Sequence, residues 1–394
     1  MGERPVLEIL KDRVAAKQAV GLTRRLVSVG PACGRHVTVR GRRCLLMASN
    51  DYLGLAGHPR LAAAAQEAAA ACGTGSGASR LISGTLESHL ELEWAIARFK
   101  HAPAALFFPT GYMTNLGVVS TLAGEGDLIV SDALNHASLI DACRLSRAQV
   151  AVFPHGDAAR AEELLAQGPA DRVKLLVSDG VFSMDGELAP VPELLAAARR
   201  QNALLVIDDA HATGVWGATG RGTLEHYGLE PEPQVVMAGT FSKALGGLGG
   251  FAAGAPEVIE ALVHGARSLL YSTAPPPAQA AVALAGLELV DAEPWRREHL
   301  CALSALLRRR LAEAGLTSVG RAGPIVPVLT GSAQASLQLA EGLWERGIFA
   351  PAVRPPTVPE GASRIRLTVT AAHQESDIEQ AAQALADAAR EAGL

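Results

Sequence analysis

Lys243 sits in the run Thr240-Phe241-Ser242-Lys243-Ala244-Leu245-Gly246-Gly247. Small and hydroxyl neighbours, with glycines behind, are not the setting of a solvated surface lysine. Removal from water penalises the charged form of an amine, so its pKa falls and the neutral form becomes available. A neutral amine forms a Schiff base with the carbonyl of a cofactor or of a substrate. The hydroxyls of Thr240 and Ser242 suit a phosphate, as do backbone N–H groups where a helix starts by Gly111-Tyr112. Asp208 closes the apolar run Leu204-Leu205-Val206-Ile207. A carboxylate buried there needs a partner, and a protonated pyridine nitrogen is one. His136 offers a flat ring to stack on a pyridine. Together these residues point to pyridoxal phosphate carried on Lys243.

The elements that must position them are legible as alternating apolar runs and helical stretches. Strands are expected at Ala105–Phe108, Leu128–Val130, Gln149–Phe153, Val173–Val177, Leu204–Ile207, Val235–Ala238 and Gly250–Ala253. Helices are expected from Tyr112, from Ala137, at Ala158–Gln167 and at Val191–Gln201. This spacing implies an α/β fold, a mainly parallel sheet covered by helices on both faces. Ligands of such sheets bind beyond the carboxyl ends of the strands. The residues that follow the strands here are Gly111, Tyr112 and Asn115, then Asp132 and His136, then Asp179 and Ser183, then Asp208, Asp209 and His211, then Thr240, Ser242 and Lys243. One polar cap explains any one of these, but not the set. The chain divides into a basic, helical arm (1–45), a large cofactor-binding domain (46–288) and a smaller α+β C-terminal domain (289–394).

Composition bounds the rest. The chain has 394 residues, 49% hydrophobic and 19% charged, so it can bury a core and is not disordered. Lys and Arg total 35 against 40 Asp and Glu, and no basic excess points to nucleic acid. Cys33, Cys44, Cys72, Cys143 and Cys301 form no CxxC pair, which argues for reduced thiols and against a disulfide framework or a zinc knuckle. The charged N-terminal stretch has no apolar signal core, and the charge-free stretches 101–124 and 268–287 are broken by proline. A cytoplasmic protein with no membrane partner is expected. Gly73–Ala78 and Gly247–Ala252 match G-x-G-x-x-A, but neither lies in a strand–turn–helix, so dinucleotide binding is rejected. His155, His226, His299 and Glu341 lack ligand spacing, and no metal is expected.

The ordered motifs are familiar as a set. They include Ser49-Asn50-Asp51-Tyr52-Leu53-Gly54-Leu55, Ser83-Gly84-Thr85 with His89, Asn135-His136-Ala137-Ser138, Val181-Phe182-Ser183-Met184-Asp185-Gly186, Asp208-Asp209-Ala210-His211, Tyr271-Ser272-Thr273 and Arg364-Ile365-Arg366. From Arg24 to His373 the chain resembles the α-oxoamine synthases, fold-type-I pyridoxal-phosphate transferases. The resemblance implies that Lys243 is the Schiff-base lysine and general base, that Asp208 holds the pyridinium nitrogen, and that His211 bonds the cofactor's phenolic oxygen. It places His136 on the ring face and Ser183 beside the ring. Gly111, Tyr112 and Thr240 help seat the cofactor. Ser272 and Thr273 reach the phosphate across a homodimer interface, so the active sites are shared. Arg366 grips the amino-acid carboxylate, Asn50 and Thr357 line the substrate site, and Arg24 meets the acyl substrate. Within the family, Arg354-Pro355-Pro356-Thr357-Val358-Pro359 before Arg364 most resembles the members that join L-alanine to a pimeloyl thioester on the way to biotin. The thioester carrier is coenzyme A or acyl carrier protein. Sister enzymes that take glycine or serine are the alternative.

Overall fold

The computed structural model describes residues 4–19, 22–23, 26–30, 34–320 and 322–394. Arg24, Arg25 and Cys33 lie outside the described residues. The helix Val6–Ala19 buries no side chain. Among the described residues after it, the basic N-terminal stretch departs from a helical arm. β1 (His36–Val39) and β2 (Arg42–Leu46) form an antiparallel hairpin. Arg40 and Gly41 turn it, both at positive φ, as a two-residue hairpin loop requires.

The large sheet contains β3 (Ala104–Phe108), β4 (Leu128–Asp132), β5 (Gln149–Phe153), β6 (Lys174–Asp179), β7 (Leu204–Asp208), β8 (Val235–Thr240) and β9 (Gly250–Gly254). Their order is β3-β9-β8-β7-β6-β4-β5. All neighbours run parallel except β9, which is antiparallel to both β3 and β8. Alternation along each strand divides the core. Leu205, Ile207, Val235 and Met237 pack into the cluster on one face, while Val206 and Val236 pack into that on the other. Successive side chains of a strand point to opposite faces, and both faces here are covered by helices. Apart from Gln149 and Lys174 at the starts of β5 and β6, the polar residues of these strands lie towards their carboxyl ends.

The C-terminal part holds β10 (Ile325–Gly331), β11 (Ile348–Phe349), β12 (Ala352–Val353) and β13 (Ser363–Thr368). β10, β13 and β12 make a small antiparallel sheet, and β11 pairs in parallel with β2 of the N-terminal hairpin. The helices Pro277–Ala292 and Trp295–Glu313 lead into it, broken at Pro294 as proline demands. Among the described residues no helix is long and apolar enough to cross a membrane.

Candidate active site

β7 delivers Asp208, and the turn after it delivers His211. Asp208 Oδ1 accepts from the Ala210 N–H at 2.9 Å, and its Oδ2 accepts from Asn115 Nδ2 at 2.6 Å. Asn115 stands on the helix Gly111–Leu122, which follows β3. It also donates to Ser138 Oγ at 2.8 Å. Ser138 Oγ lies 2.7 Å from His136 Nδ1, and Asp179 Oδ2 accepts from the His136 backbone N–H at 2.8 Å. Burial lowers the pKa of His136, with Lys243 adding to the effect and Asp208 opposing it. The ring is therefore neutral near pH 7.

Lys243 follows β8. Its Nζ lies 2.9 Å from His211 Nε2. Burial pushes the Lys243 amine down to about 8, against the pull of Asp208 and Asp179, and Arg366 lowers it further. The loop is held from below. Gly246 has φ +68°, and a Cβ there would meet the Ala56 nitrogen at 2.6 Å. Only glycine lets the lysine loop rest on the segment after Tyr52.

β13 brings Arg366 from the C-terminal part, buried at 9% exposure. Its Nε donates to the Ser183 carbonyl at 2.5 Å, and its two terminal nitrogens donate to Asn50 Oδ1 at 3.2 and 3.3 Å. Neighbouring Arg364 donates to the Met184 carbonyl at 3.1 Å and to Asp185, holding the Ser183 loop from the other side. Asn50, His136, Ser183, His211, Lys243, Thr357 and Arg366 all line one cavity of about 540 Å³.

Asp208, Gly111, Tyr112 and Thr240 lie outside that lining. Thr240 is buried, its hydroxyl donating to the Gly249 carbonyl at 2.6 Å and lying 2.8 Å from Ser242 Oγ. A Cβ on Gly111 would stand 3.0 Å from Thr240 Cβ, so the start of the Gly111–Leu122 helix sits tight against the end of β8. Tyr112 is exposed and donates to the Asp141 carboxylate. Ser272 and Thr273 also stand apart from the cavity. Thr273 bridges Ser79, and the Ala274 N–H donates to the Ala78 carbonyl at 2.9 Å.

Three side chains that the sequence analysis left without a role belong to this network: Tyr52, Asn115 and Asp179. Tyr52 is fully buried, with its hydroxyl 2.6 Å from His211 Nδ1. Asn115 and Asp179 were visible as polar residues beyond strand ends, which is the signal that marks them.

The family model for aminotransferase class I and II matches residues 42–385. The chain is 47% identical over 376 residues to the 8-amino-7-oxononanoate synthase of Geobacter sulfurreducens, covering 95% of this chain and 96% of that one. The chain belongs to the α-oxoamine synthases, a branch of that pyridoxal-phosphate-dependent family. This α-oxoamine synthase is also 47% identical to the 8-amino-7-oxononanoate synthase of Stutzerimonas stutzeri, covering 96% of each chain. Among solved structures, a serine palmitoyltransferase from S. paucimobilis with bound PLP and myriocin superposes with a TM-score of 0.93 at 30% identity. That match covers 99% of this α-oxoamine synthase and 100% of the other chain. The fold-type-I architecture expected from the sequence is thus the one observed.

Proposed function

We propose that the chain catalyses the decarboxylative condensation of L-alanine with a pimeloyl thioester of coenzyme A or acyl carrier protein. The products are 8-amino-7-oxononanoate, CO2 and free thiol, a step in biotin synthesis. The observation that carries the reading is one cavity that joins an amine of lowered pKa, Lys243, to a buried guanidinium, Arg366. The choice of substrates follows the names of the curated relatives, 47% identical over nearly the whole chain.

The residues fit pyridoxal phosphate. Asp208 is a buried carboxylate whose hydrogen-bond donors, an amide and a backbone N–H, do not neutralise it. A protonated ring nitrogen would. Gly111 and Thr240 meet closely at a helix N-terminus, where N–H groups point outward for an anion. In this reading Lys243 holds the cofactor, Asp208 its ring nitrogen and His211 its phenolic oxygen. His136 covers the ring face, Ser183 lies beside it, and Gly111, Tyr112 and Thr240 seat the phosphate. Bound there, the cofactor supplies an electron sink for negative charge developing at the alanine Cα.

The chain's own residues do the rest. Arg366 presents a planar fork to the L-alanine carboxylate and fixes which Cα bond faces Lys243. Lys243 Nζ takes the Cα proton, as an amine with a pKa of about 8 can do near neutral pH. Asn50 holds the guanidinium in place while the alanine Cα bonds the thioester carbonyl and the thiolate leaves; the carboxylate then departs as CO2 and Lys243 returns the proton to Cα. Thr357 and Arg24, the latter outside the described residues, are assigned to the acyl substrate.

The homodimer belongs to the same proposal. Ser272 and Thr273 are not among the residues that line the cavity, and they are assigned to the phosphate of the partner's site. Leu81, Ile82 and Tyr271, near the Ser79–Thr273 bridge, are 59%, 81% and 74% exposed, and an apolar surface of this kind supports burial against a second copy. The arm (1–45), the large domain (46–288) and the small domain (289–394) are kept as the working division.

The test is direct. Purified, cofactor-loaded protein is given L-alanine with pimeloyl-CoA, glycine with succinyl-CoA, or L-serine with palmitoyl-CoA, and product mass and CO2 are followed. Turnover with the first pair alone supports the proposal. Turnover only with glycine or serine moves the chain to a sister activity.

A further inference from the structure

Tyr52 stands between the carboxylate grip and the lysine. Its ring is fully buried. Its hydroxyl lies 2.6 Å from His211 Nδ1 and 3.2 Å from Asn50 Oδ1, and Arg366 Nη2 donates to it at 3.3 Å. A phenol has one proton to give. Asn50 Oδ1 already accepts from both terminal nitrogens of Arg366. Of the hydroxyl's two acceptors, Asn50 Oδ1 at 3.2 Å and His211 Nδ1 at 2.6 Å, the proton is assigned to the shorter, His211 Nδ1. That choice fixes the tautomer. Nδ1 accepts, so Nε2 carries the hydrogen and points at Lys243 Nζ, 2.9 Å away.

We propose that Tyr52 is a positioning residue that holds His211 as its Nε2–H tautomer, whose hydrogen bond favours the neutral amine of Lys243, and so links occupancy of Arg366 to the protonation of Lys243. The proposal rests on the roles given above to Lys243 and Arg366. A cationic donor on the phenol oxygen strengthens the O–H as a donor in turn. A carboxylate that takes over the Arg366 fork weakens that donation, and the change reaches His211 one hydrogen bond further on. The His211 ring stays neutral for this purpose. Burial, and then the charges of Lys243, Arg366 and His136, hold its pKa well below the ordinary histidine value. Asp208 and Asp179 act on Lys243 from the sheet side, and neither touches Tyr52 in this network. Seen from the sequence, the linkage is remote: Tyr52 and His211 lie 159 positions apart, and Tyr52 and Arg366 lie 314 apart.

Two experiments test it. The first is 15N NMR of the histidine-labelled, cofactor-loaded wild-type protein, with the His211 signals assigned by their loss in His211→Asn. Protonated Nε2 with bare Nδ1 is expected. A protonated Nδ1 overturns the proposal, and this readout needs no Tyr52 variant and no turnover. The second compares wild type with Tyr52→Phe by the pH midpoint of the cofactor's visible absorption, with and without propionate, a carboxylate that lacks the amino group. Loss of one hydrogen bond should move the Tyr52→Phe midpoint by roughly half to one pH unit. Propionate should shift the wild-type midpoint and leave the variant's nearly unchanged. Equal midpoints and equal propionate shifts would refute the linkage. If the tautomer and midpoints behave as expected but L-alanine is not condensed, the proposed substrate fails and the Tyr52 linkage stands.

Discussion

Asp179 and Asp208 stand directly opposite one another as the last residues of β6 and β7, two buried carboxylates in register on adjacent parallel strands. They are not equivalent. Burial, with Asp208 alongside, pushes the Asp179 carboxyl well above the ordinary carboxylate range. Asp208 keeps the amide of Asn115 and a backbone N–H. Asp179 serves by holding the His136 backbone.

That asymmetry makes Asp208→Asn informative. The side chain keeps its shape, but its single oxygen can accept from only one of the two donors, Asn115 Nδ2 and the Ala210 N–H, and it no longer offers a charge to a ring nitrogen. The variant should still take up pyridoxal phosphate, while kcat for condensation falls at least about a hundredfold, roughly 2.7 kcal/mol. Steady-state CO2 release measures this. An unchanged kcat removes Asp208 from its role.

Arg366→Lys separates binding from chemistry. An ammonium cannot reproduce the fork that reaches Ser183, Asn50 and Tyr52 together. The KM for L-alanine should rise about tenfold or more, about 1.4 kcal/mol of lost binding. The variant should still take up pyridoxal phosphate before substrate is added. An unaltered KM would count against Arg366 as the carboxylate grip.

The lysine itself sets a pH profile. Only the neutral amine captures a carbonyl, and the amine of Lys243 is pushed down to about 8 by burial. The folded pKa lies below the ordinary lysine value, so the reactive form is gained as pH rises through about 8 and lost as pH falls below it. Capture of pyridoxal phosphate by cofactor-free protein should slow about tenfold per unit below that point and level off above it. Stopped-flow absorbance gives the profile. A midpoint near 10.5, the ordinary lysine value, would show that Lys243 is solvated.

Behind the site, Lys100 Nζ meets Asp209 Oδ2 at 3.0 Å with both side chains essentially sealed from solvent. Asp209 also accepts from the Thr223 hydroxyl at 2.6 Å, anchoring the turn that carries Asp208 and His211. Lys100→Met leaves that carboxylate buried without its cation. Unfolding in denaturant should show a loss of about 3–5 kcal/mol. A loss below about 1 kcal/mol would mean that water or a neighbour takes over the pairing.

The large sheet was legible because its strands are short, apolar runs ended by polar residues, and each observed strand begins and ends within two residues of the expected one. The antiparallel run of β9 was not legible, since periodicity carries no direction. The β1–β2 hairpin was hidden by its charge. His36 to Leu46 carries three arginines and one histidine, although Val37, Val39 and the run Cys44–Leu46 face inward, and Arg40-Gly41 was the turn signal available. In the site, residues placed by a strand end could be read one by one. Tyr52 could not, because its hydroxyl is defined by partners from β13 and from the turn after β7, and only the folded chain brings them together.

The central claim is that Lys243 carries pyridoxal phosphate in a site built for L-alanine. The visible spectrum of the purified, cofactor-loaded protein, recorded before and after L-alanine and separately before and after glycine, tests it most directly. The account predicts a band of the lysine-bound cofactor, distinct from that of the free aldehyde, that Lys243→Ala lacks and that shifts with L-alanine at far lower concentration than with glycine. Persistence of that band in Lys243→Ala, or its absence after cofactor is supplied to wild type, would contradict it.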